Sequence, residues 1–264
     1  MQYKLIKSDS LLNKITSKDN LFAGDYTIDP YQNCEFGCLY CDSSYDKNIY
    51  VKTNADKILD QELQSLPKGR IIVGSVHDPY QKAEEKYEIT RNLLKTIKKH
   101  DFPCHILTKS ELILRDLDIL SEIKDCTITI SIISLTNKIV NIFEKNTPSP
   151  MIRLKTLKKL SEGRIKTGIA IIPILPYITE KKDLENIIKA ANQNKARFLL
   201  YKHLELKRDQ KKKFTETLKR FFPEIVKKYE ELYFDSYIPK NQYTQNVKKS
   251  LFHLCKKYKI NTKI

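Results

Sequence analysis

Short apolar runs alternate with amphipathic segments along most of the 264-residue chain. The apolar runs are rich in Ile, Val and Leu, which is typical of parallel strands that are buried on both faces. Between them, apolar residues recur at helical spacing, for example at Ile89, Leu93 and Ile97. The pattern predicts six strand-then-helix units, with strands at 25–32, 70–76, 103–108, 126–133, 166–175 and 196–201 and helices at 55–66, 85–100, 114–123, 149–163, 181–195 and 211–232.

Serial βα units build either a doubly wound sheet or a barrel, because crossovers between parallel strands are right-handed. A dinucleotide-binding sheet carries a G-x-G-x-x-G turn after an early strand, and the six glycines form no such turn. We therefore predict an α/β fold, a partial (β/α)6 TIM-like barrel over 24–202. An N-terminal segment over 1–23 precedes it, and a basic helical extension over 203–264 is predicted to pack on it.

The chain is strongly basic, with a net charge of +16 from 48 basic and 32 acidic residues. Such a field attracts polyanions, and the densest run, "KRDQKKK" at 207–213, lies in the C-terminal extension. However, only eight of the basic residues are Arg, the residue best suited to bidentate phosphate and base contacts. Nucleic-acid binding and a compositional Lys bias on a solvated surface both remain open.

The first residues of the sequence and the lengths of its apolar runs predict a cytoplasmic protein without a membrane partner. The first 20 residues mix charges throughout, unlike a secretory signal, and no apolar run approaches the roughly 18 residues that span a bilayer. Six cysteines are too few for a disulfide framework in a chain of this length. Cys104, Cys126 and Cys255 lie among apolar neighbours and are predicted to be buried structural thiols.

The other three cysteines form a tight cluster, "CEFGCLYC", directly after the first predicted strand. A structural zinc site needs four protein ligands, and an iron–sulfur centre used only for electron transfer usually takes four cysteines. The spacing Cys34-x3-Cys38-x2-Cys41 offers three, with no second Cys or His pair. Three thiolates suit a [4Fe–4S] cluster whose fourth iron is left free for another ligand.

At this motif the sequence resembles the radical S-adenosylmethionine (SAM) superfamily, whose signature is Cys-x3-Cys-x-aromatic-Cys. Four further segments resemble its spore photoproduct lyase-like (DNA repair photolyase-like) branch: "DPYQNCEFGCLYCDSS", "GSVHDPYQKAEEKYEITRNLL", "ILTKSELILRDLDIL" and "EKNTPSPMIRLKTLKKLSE". The resemblance implies a radical SAM barrel and an enzyme of lyase or oxidoreductase type. It also implies that a [4Fe–4S] cluster and SAM together produce a 5′-deoxyadenosyl radical, which abstracts hydrogen from the substrate.

Residue by residue, the resemblance implies that Cys34, Cys38 and Cys41 ligate the cluster. The remaining cofactor contacts that it implies are Tyr40 on the adenine, Ser75 on the methionyl amino group, Lys109 on the carboxylate and Ser131 on the carboxylate or ribose. An external one-electron donor of the flavodoxin or ferredoxin type is implied as well.

The choice of substrate stays open at the level of sequence. His77, Asp78 and Tyr80 are candidates for proton or hydrogen transfer, although Asp78-Pro79 is equally typical of a strand end. Gly74 stands where spore photoproduct lyase proper has a hydrogen-donating cysteine, which argues against repair of the spore lesion. The remaining alternatives are lesion repair or modification of DNA or RNA, a reaction on a peptide or small molecule, and, third, an iron–sulfur electron carrier. Four charged residues, Arg91, Arg115, Glu144 and Arg153, also match the branch pattern, and structural ion pairing would account for them as well as substrate binding does. The oligomeric state is not predicted.

Overall fold

The computed structural model describes residues 2–17, 19, 21–41 and 47–264. Its strands are β1 (Gln2–Ile6), β2 (Asn13–Lys14), β3 (Tyr26–Ile28), β4 (Tyr31–Gln32), β5 (Asn48–Lys52), β6 (Ile71–Val73), β7 (Cys104–Thr108), β8 (Cys126–Ser131), β9 (Lys166–Ile174) and β10 (Phe198–His203). Its helices are α1 (Ala55–Ser65), α2 (Ala83–Tyr87), α3 (Ile89–Lys99), α4 (Leu117–Leu120), α5 (Asn137–Phe143), α6 (Pro150–Glu162), α7 (Lys181–Gln193), α8 (Arg208–Phe221), α9 (Val226–Leu232) and α10 (Asn241–Lys257), with 3-10 turns at Glu111–Asp116 and Pro223–Ile225.

Six parallel strands, β3 and β6 to β10, lie side by side in the order in which they follow one another along the chain. At least one helix connects each strand to the next, so every connection is a βα crossover. All six residues of β8, in the middle of the sheet, are buried, as expected for a strand covered on both faces. The predicted α/β fold, a partial TIM-like barrel, is confirmed.

The prediction of one continuous strand over 25–32 is wrong, because the chain passes from one sheet to another at Asp29-Pro30. β3 belongs to the main sheet, whereas β4 pairs with β5 in a second sheet of order β1-β5-β4. Proline lacks the N–H that a continuing ladder needs. The periodicity did not reveal this second sheet, because β4 has two residues and β1 has no buried face. Its effect is to bring β4 directly in front of the cysteine loop.

Two predicted helices are interrupted for local reasons. The helix predicted at 85–100 divides at Glu88, which has a left-handed φ of 48°. The helix predicted at 211–232 divides at Phe222-Pro223, where proline cannot continue the hydrogen-bond ladder. The segment predicted as a helix at 114–123 forms the end of a 3-10 turn and the short helix α4. Helix α5 was not predicted at all.

The C-terminal residues pack against the side of the sheet that ends in β10. Buried Tyr229 and Tyr233 donate hydrogen bonds to the carbonyls of Pro176 and Leu204, at 2.7 and 2.9 Å. Asn261 bridges to the outer edge of β10, which leaves this edge less exposed to unwanted pairing. Among the described residues, no helix has the length and apolar character required to cross a membrane.

Candidate active site

A cavity of about 430 Å³ lies at the carboxyl ends of the parallel strands. Residues in or directly after five of the strands line this cavity. They are Gly74–Asp78 after β6, Leu107–Lys109 at β7, Ser131 at β8, Ile172 and Pro173 in β9, and Lys202–Glu205 at β10. This is the edge at which barrels of this type place their chemistry, because side chains from several strands converge there.

The three cysteines of the loop after β4 line a second, smaller cavity of about 60 Å³. Gly37 allows the loop to turn between Cys34 and Cys38, because it adopts a left-handed φ of 57°. The loop is held from outside by α5, since the amide of Leu39 donates to the Phe143 carbonyl at 2.9 Å. The predicted set Cys34, Cys38 and Cys41 is therefore brought together around one space.

The donor set of this small cavity fits an iron–sulfur cluster. Burial raises the pKa of the Cys34 thiol, and it raises that of Cys38 to about 12, so thiolates here need a bound cation to replace their protons. No three His, Cys, Asp or Glu side chains in the described part of the chain converge tightly enough to hold a single metal ion. A cluster is larger than one ion and takes each thiolate on a different iron. Soft thiolate ligands also favour iron–sulfur clusters.

The two cavities adjoin each other, since Tyr40, Cys41, Val76, Asp78 and Lys109 line both. A ligand in the larger cavity would therefore lie next to whatever the three cysteines hold. This continuity is a property of the tertiary structure that the spacing of the cysteines did not reveal.

Lys109 provides a positive charge at the boundary between the cavities. Burial alone would lower its pKa, but electrostatic interactions with the acidic groups of Cys38, Glu144 and Asp78 outweigh burial and raise it. Its Nζ lies 4.0 Å from Oε1 of Glu144 and 5.9 Å from the centre of the Tyr40 ring. The ammonium is thus held charged beside the larger cavity, where it can bind a carboxylate.

Tyr40 and Ser131 are held in position by the buried ion pair of Glu144 with Arg153. The Tyr40 hydroxyl donates to Glu144, and Glu144 pairs with Arg153 at 2.6 Å. Arg153 also donates to the backbone carbonyl of Ser131 at 3.0 Å. Both charged residues are fully buried. Their pairing joins the cysteine loop to the end of β8, which explains why these two positions match the branch pattern.

Asp29, which directly follows β3, organises the loop after β6 and was missed by sequence reasoning. Its carboxylate accepts from the Ser75 hydroxyl at 2.9 Å and from the amides of Val76 and His77 at 3.0 Å. An acid directly before the proline that ends a strand was the available signal. Ser75 lines the larger cavity, and its hydroxyl is already engaged by Asp29.

The structure separates the three predicted catalytic residues. Asp78 lines both cavities and accepts hydrogen bonds from Thr108 Oγ1 and from the amides of Lys109 and Tyr80, at 2.7 to 2.9 Å, while burial raises its pKa. His77 lines the larger cavity; burial lowers its pKa, and its Nδ1 finds no hydrogen-bond partner among the described residues. Tyr80 lines neither cavity and donates instead to Asp116 at 3.1 Å.

Two further matches to the branch pattern, Arg91 and Arg115, lie outside both cavities. Arg91 pairs with Asp116 at 2.7 Å, and Arg115 pairs with Glu84 at 2.6 Å and with Asp116 at 2.8 Å. Their role is therefore structural ion pairing between α2, α3 and the 3-10 turn after β7.

The C-terminal extension contributes a wall of the larger cavity. Lys207 and the buried Gln210 line it, and the Gln210 amide donates to the backbone carbonyl of Tyr40. Lys202 and Lys207 both pair with Glu205 at 2.6 Å. The densest basic run of the chain, 207–213, thus begins at the wall of this cavity.

Comparisons with known proteins agree with this geometry. The family model of the Radical SAM superfamily matches residues 28–191. A protein of Methanocaldococcus jannaschii is 31% identical over 206 residues, which cover 75% of this chain and 77% of that protein.

Among solved structures, a spore photoproduct lyase variant with bound AdoMet and dinucleoside spore photoproduct superposes with a TM-score of 0.76 at 14% identity, over 97% of this chain and 79% of that one. Streptococcus suis SuiB bound to its precursor peptide SuiA gives a TM-score of 0.60 at 16% identity, over 90% of this chain and 47% of that one. At identities this low, the two superpositions establish likeness of fold alone. Because the family model spans more than half of the chain and the cysteine loop lies within it, the protein belongs to the radical SAM superfamily and has the fold of spore photoproduct lyase.

Proposed function

We propose that this protein is a radical SAM enzyme that acts on a nucleic acid, with Cys34, Cys38 and Cys41 holding a [4Fe–4S] cluster. Bound together, the cluster and SAM supply a 5′-deoxyadenosyl radical through one-electron cleavage of the sulfonium. The observation that carries this proposal is the junction of two cavities, because the three thiols line one of them and five residues are shared with the other.

The chain's own residues bind and orient SAM in the larger cavity. Lys109 pairs with the methionyl carboxylate, and the Ser131 hydroxyl binds the carboxylate or ribose from the end of β8. Ser75 stays hydrogen-bonded to Asp29, which positions its oxygen to accept from the methionyl amino group. The Tyr40 ring contacts the adenine, while its hydroxyl donates to Glu144 and its backbone carbonyl accepts from the Gln210 amide. Asp78 holds the backbone of Lys109 in place.

A nucleic acid is favoured as substrate by the size of the cavity and the charge beside it. A volume of about 430 Å³ lies toward the lower end of the range for a single small-molecule ligand. SAM would occupy most of this volume, so the bulk of the substrate must stay outside the cavity and present one of its repeating units to it. Lys207 and the basic run that follows suit a phosphate backbone there, and the net charge of +16 adds long-range attraction. His77 lines this cavity, and its Nδ1 has no hydrogen-bond partner among the described residues, so it is proposed to face the substrate.

The test is anaerobic reconstitution of three proteins: wild type, Cys38→Ala and the matched control Cys255→Ala. Both cysteines are buried, but Cys255 lines neither cavity. Wild type and control should hold about four irons per chain and cleave SAM to methionine and 5′-deoxyadenosine under dithionite, whereas Cys38→Ala should lose both properties. Equal iron content and cleavage in Cys38→Ala would refute the proposed cluster site.

The substrate class is tested separately by measuring binding to single- and double-stranded DNA and RNA across a salt series. A polyanion ligand should give a steep negative slope of log K against log salt concentration. A slope near zero, together with intact SAM cleavage, would leave the radical chemistry in place and move the substrate to a peptide or small molecule. The similarity of fold to SuiB, which was solved with a peptide, makes the peptide the next class to examine.

A further inference from the structure

A third concave surface, a groove of about 750 Å³, lies on the outer side of the cysteine loop. It is formed by the loop itself, by α5 and Lys145, two residues beyond the end of α5, and by the C-terminal end of α8. Its lining residues are Gly37, Leu39, Lys138, Asn141, Ile142, Lys145, Arg220 and Phe221. We call this surface the loop groove.

The loop groove adjoins the cysteine cavity but not the larger cavity. Gly37 lines both the loop groove and the cysteine cavity, so the backbone of one residue separates them. A Cβ placed on Gly37 would meet only two atoms within 4 Å, the nearer at 3.7 Å, so little side-chain material fills the gap. By contrast, the loop groove and the cavity proposed for SAM share no lining residue. The cysteines thus lie between a groove on one side and the larger cavity on the other.

The loop groove is lined by both apolar and positively charged side chains. Leu39, Ile142 and Phe221 supply the apolar surface, and Phe221 is 41% exposed. Lys138, Lys145 and Arg220 supply the charge, and within the described part of the chain none of these three forms an ion pair. No acidic side chain of the described residues lines the groove. Exposed cations that are not neutralised beside an apolar patch are typical of a surface that binds an acidic partner.

We propose that the loop groove docks an acidic one-electron carrier protein, which reduces the cluster across Gly37; this inference rests on the proposed function. One electron leaves the carrier, whose centre is oxidised by one electron, and the cluster is reduced by one electron. The backbone at Gly37 provides the short path. Because the groove shares no lining residue with the larger cavity, the carrier can bind while SAM and substrate occupy that cavity. Small, electrostatically guided interfaces are typical of such transient redox encounters.

A nucleic acid is the competing occupant, since it too is acidic. It is disfavoured here because its reacting unit must reach the larger cavity, with which the loop groove shares no residue. The experiment distinguishes the two partners by measuring both.

The test compares the reconstituted wild type with two charge-reversal variants, Lys138→Glu/Lys145→Glu and the matched control Lys155→Glu/Lys158→Glu. The control makes the same change of charge at two exposed lysines of α6 that do not line the groove. The probe is a plant-type [2Fe–2S] ferredoxin, an acidic one-electron carrier. Its Kd is measured at several salt concentrations, and SAM cleavage is measured with reduced ferredoxin and, separately, with dithionite.

We expect the groove variant to bind ferredoxin at least tenfold more weakly than wild type at low salt, because like charges now face each other. The difference should shrink as salt screens the charges, and the control should stay within about twofold, allowing for the shared loss of net charge. Cleavage driven by ferredoxin should fall in the groove variant, while cleavage driven by dithionite should equal that of wild type.

Three results would overturn the docking proposal: equal ferredoxin affinity in the groove and control variants, no salt-dependent binding of ferredoxin by wild type, or selective loss of DNA or RNA binding in the groove variant. Failure of the proposed function is distinguishable, because it would abolish dithionite-driven cleavage in every protein, wild type included, whatever the ferredoxin affinity.

Discussion

The pair Glu144–Arg153 gives the sharpest prediction about the stability of the site. Glu144 is fully buried, lies 2.6 Å from the guanidinium of Arg153 and 4.0 Å from Nζ of Lys109, and accepts a hydrogen bond from Tyr40. The substitution Glu144→Gln keeps the shape but removes the negative charge. It leaves the buried Arg153 without a carboxylate, and one of the donors around position 144 then faces the amide NH2 group instead of an oxygen.

The expected loss in the free energy of unfolding is about 3–5 kcal/mol, the cost of breaking a buried ion pair from one side. For a domain of this size, that corresponds to a decrease of roughly 6–20 °C in Tm. The loss should exceed the whole cost of an exposed pair, because exposed charges regain their hydration when a partner is removed. The pKa of Lys109 should also fall, since Glu144 is one of the charges that raise it.

The assay is equilibrium urea unfolding, performed at matched iron content so that cluster binding does not contribute to the difference. The matched control is Glu122→Gln, which breaks the exposed pair of Glu122 with Lys98 at 2.5 Å, whose side chains are 59% and 41% exposed. We expect the two variants to differ by at least about 2 kcal/mol. Equal losses would refute the view that a buried charge network supports Tyr40 and Ser131.

Three further predictions concern individual residues. Tyr80→Phe should cost about 1 kcal/mol, for the lost hydrogen bond to Asp116, and leave SAM cleavage within about twofold; a tenfold loss of cleavage would restore Tyr80 as a catalytic candidate. Gly74→Cys should destabilise the protein in urea by roughly 1–3 kcal/mol, because φ is 82° and a Cβ would lie 2.3 Å from Cδ of Pro79; an unchanged midpoint would contradict this. Burial lowers the pKa of His105 to about 4, so between about pH 6.5 and pH 4 the unfolded chain binds a proton that the folded protein does not. Stability should therefore fall by up to about 3 kcal/mol as pH decreases through that window, and His105→Gln, measured by urea unfolding at pH 7 and pH 5, should show a shallower dependence; an equal slope would refute the assignment.

Gly74 illustrates how the structure strengthens an observation made from the sequence. The sequence showed only that a cysteine is missing where spore photoproduct lyase proper has one. The left-handed backbone and the contact with Pro79 add that this position does not accommodate a Cβ in its present conformation. The proposed enzyme must therefore complete its reaction without a thiol at position 74.

Much of the candidate site could be predicted because its residues lie at recognisable points of the local pattern. The cysteines occupy a spacing within eight residues, and Ser75, Lys109 and Ser131 each end or follow an apolar run. All of them line one or both adjoining cavities. Tyr80 lines neither cavity for a local reason. The turn in which its amide donates to Asp78 directs its ring toward Asp116, and sequence spacing does not show the direction of a side chain after a turn.

The sequence by itself determined the order of strands and helices, because burial on both faces requires apolar runs and helices require a 3.6-residue period. It also determined the three-cysteine motif, whose geometry is set within one short loop. Only the tertiary structure decided that Asp29 fixes the loop after β6, that Glu144 and Arg153 join two strand ends, and that Gln210 contacts Tyr40 across 170 residues of sequence. Such contacts leave no local periodicity, because they depend on how separate elements pack together.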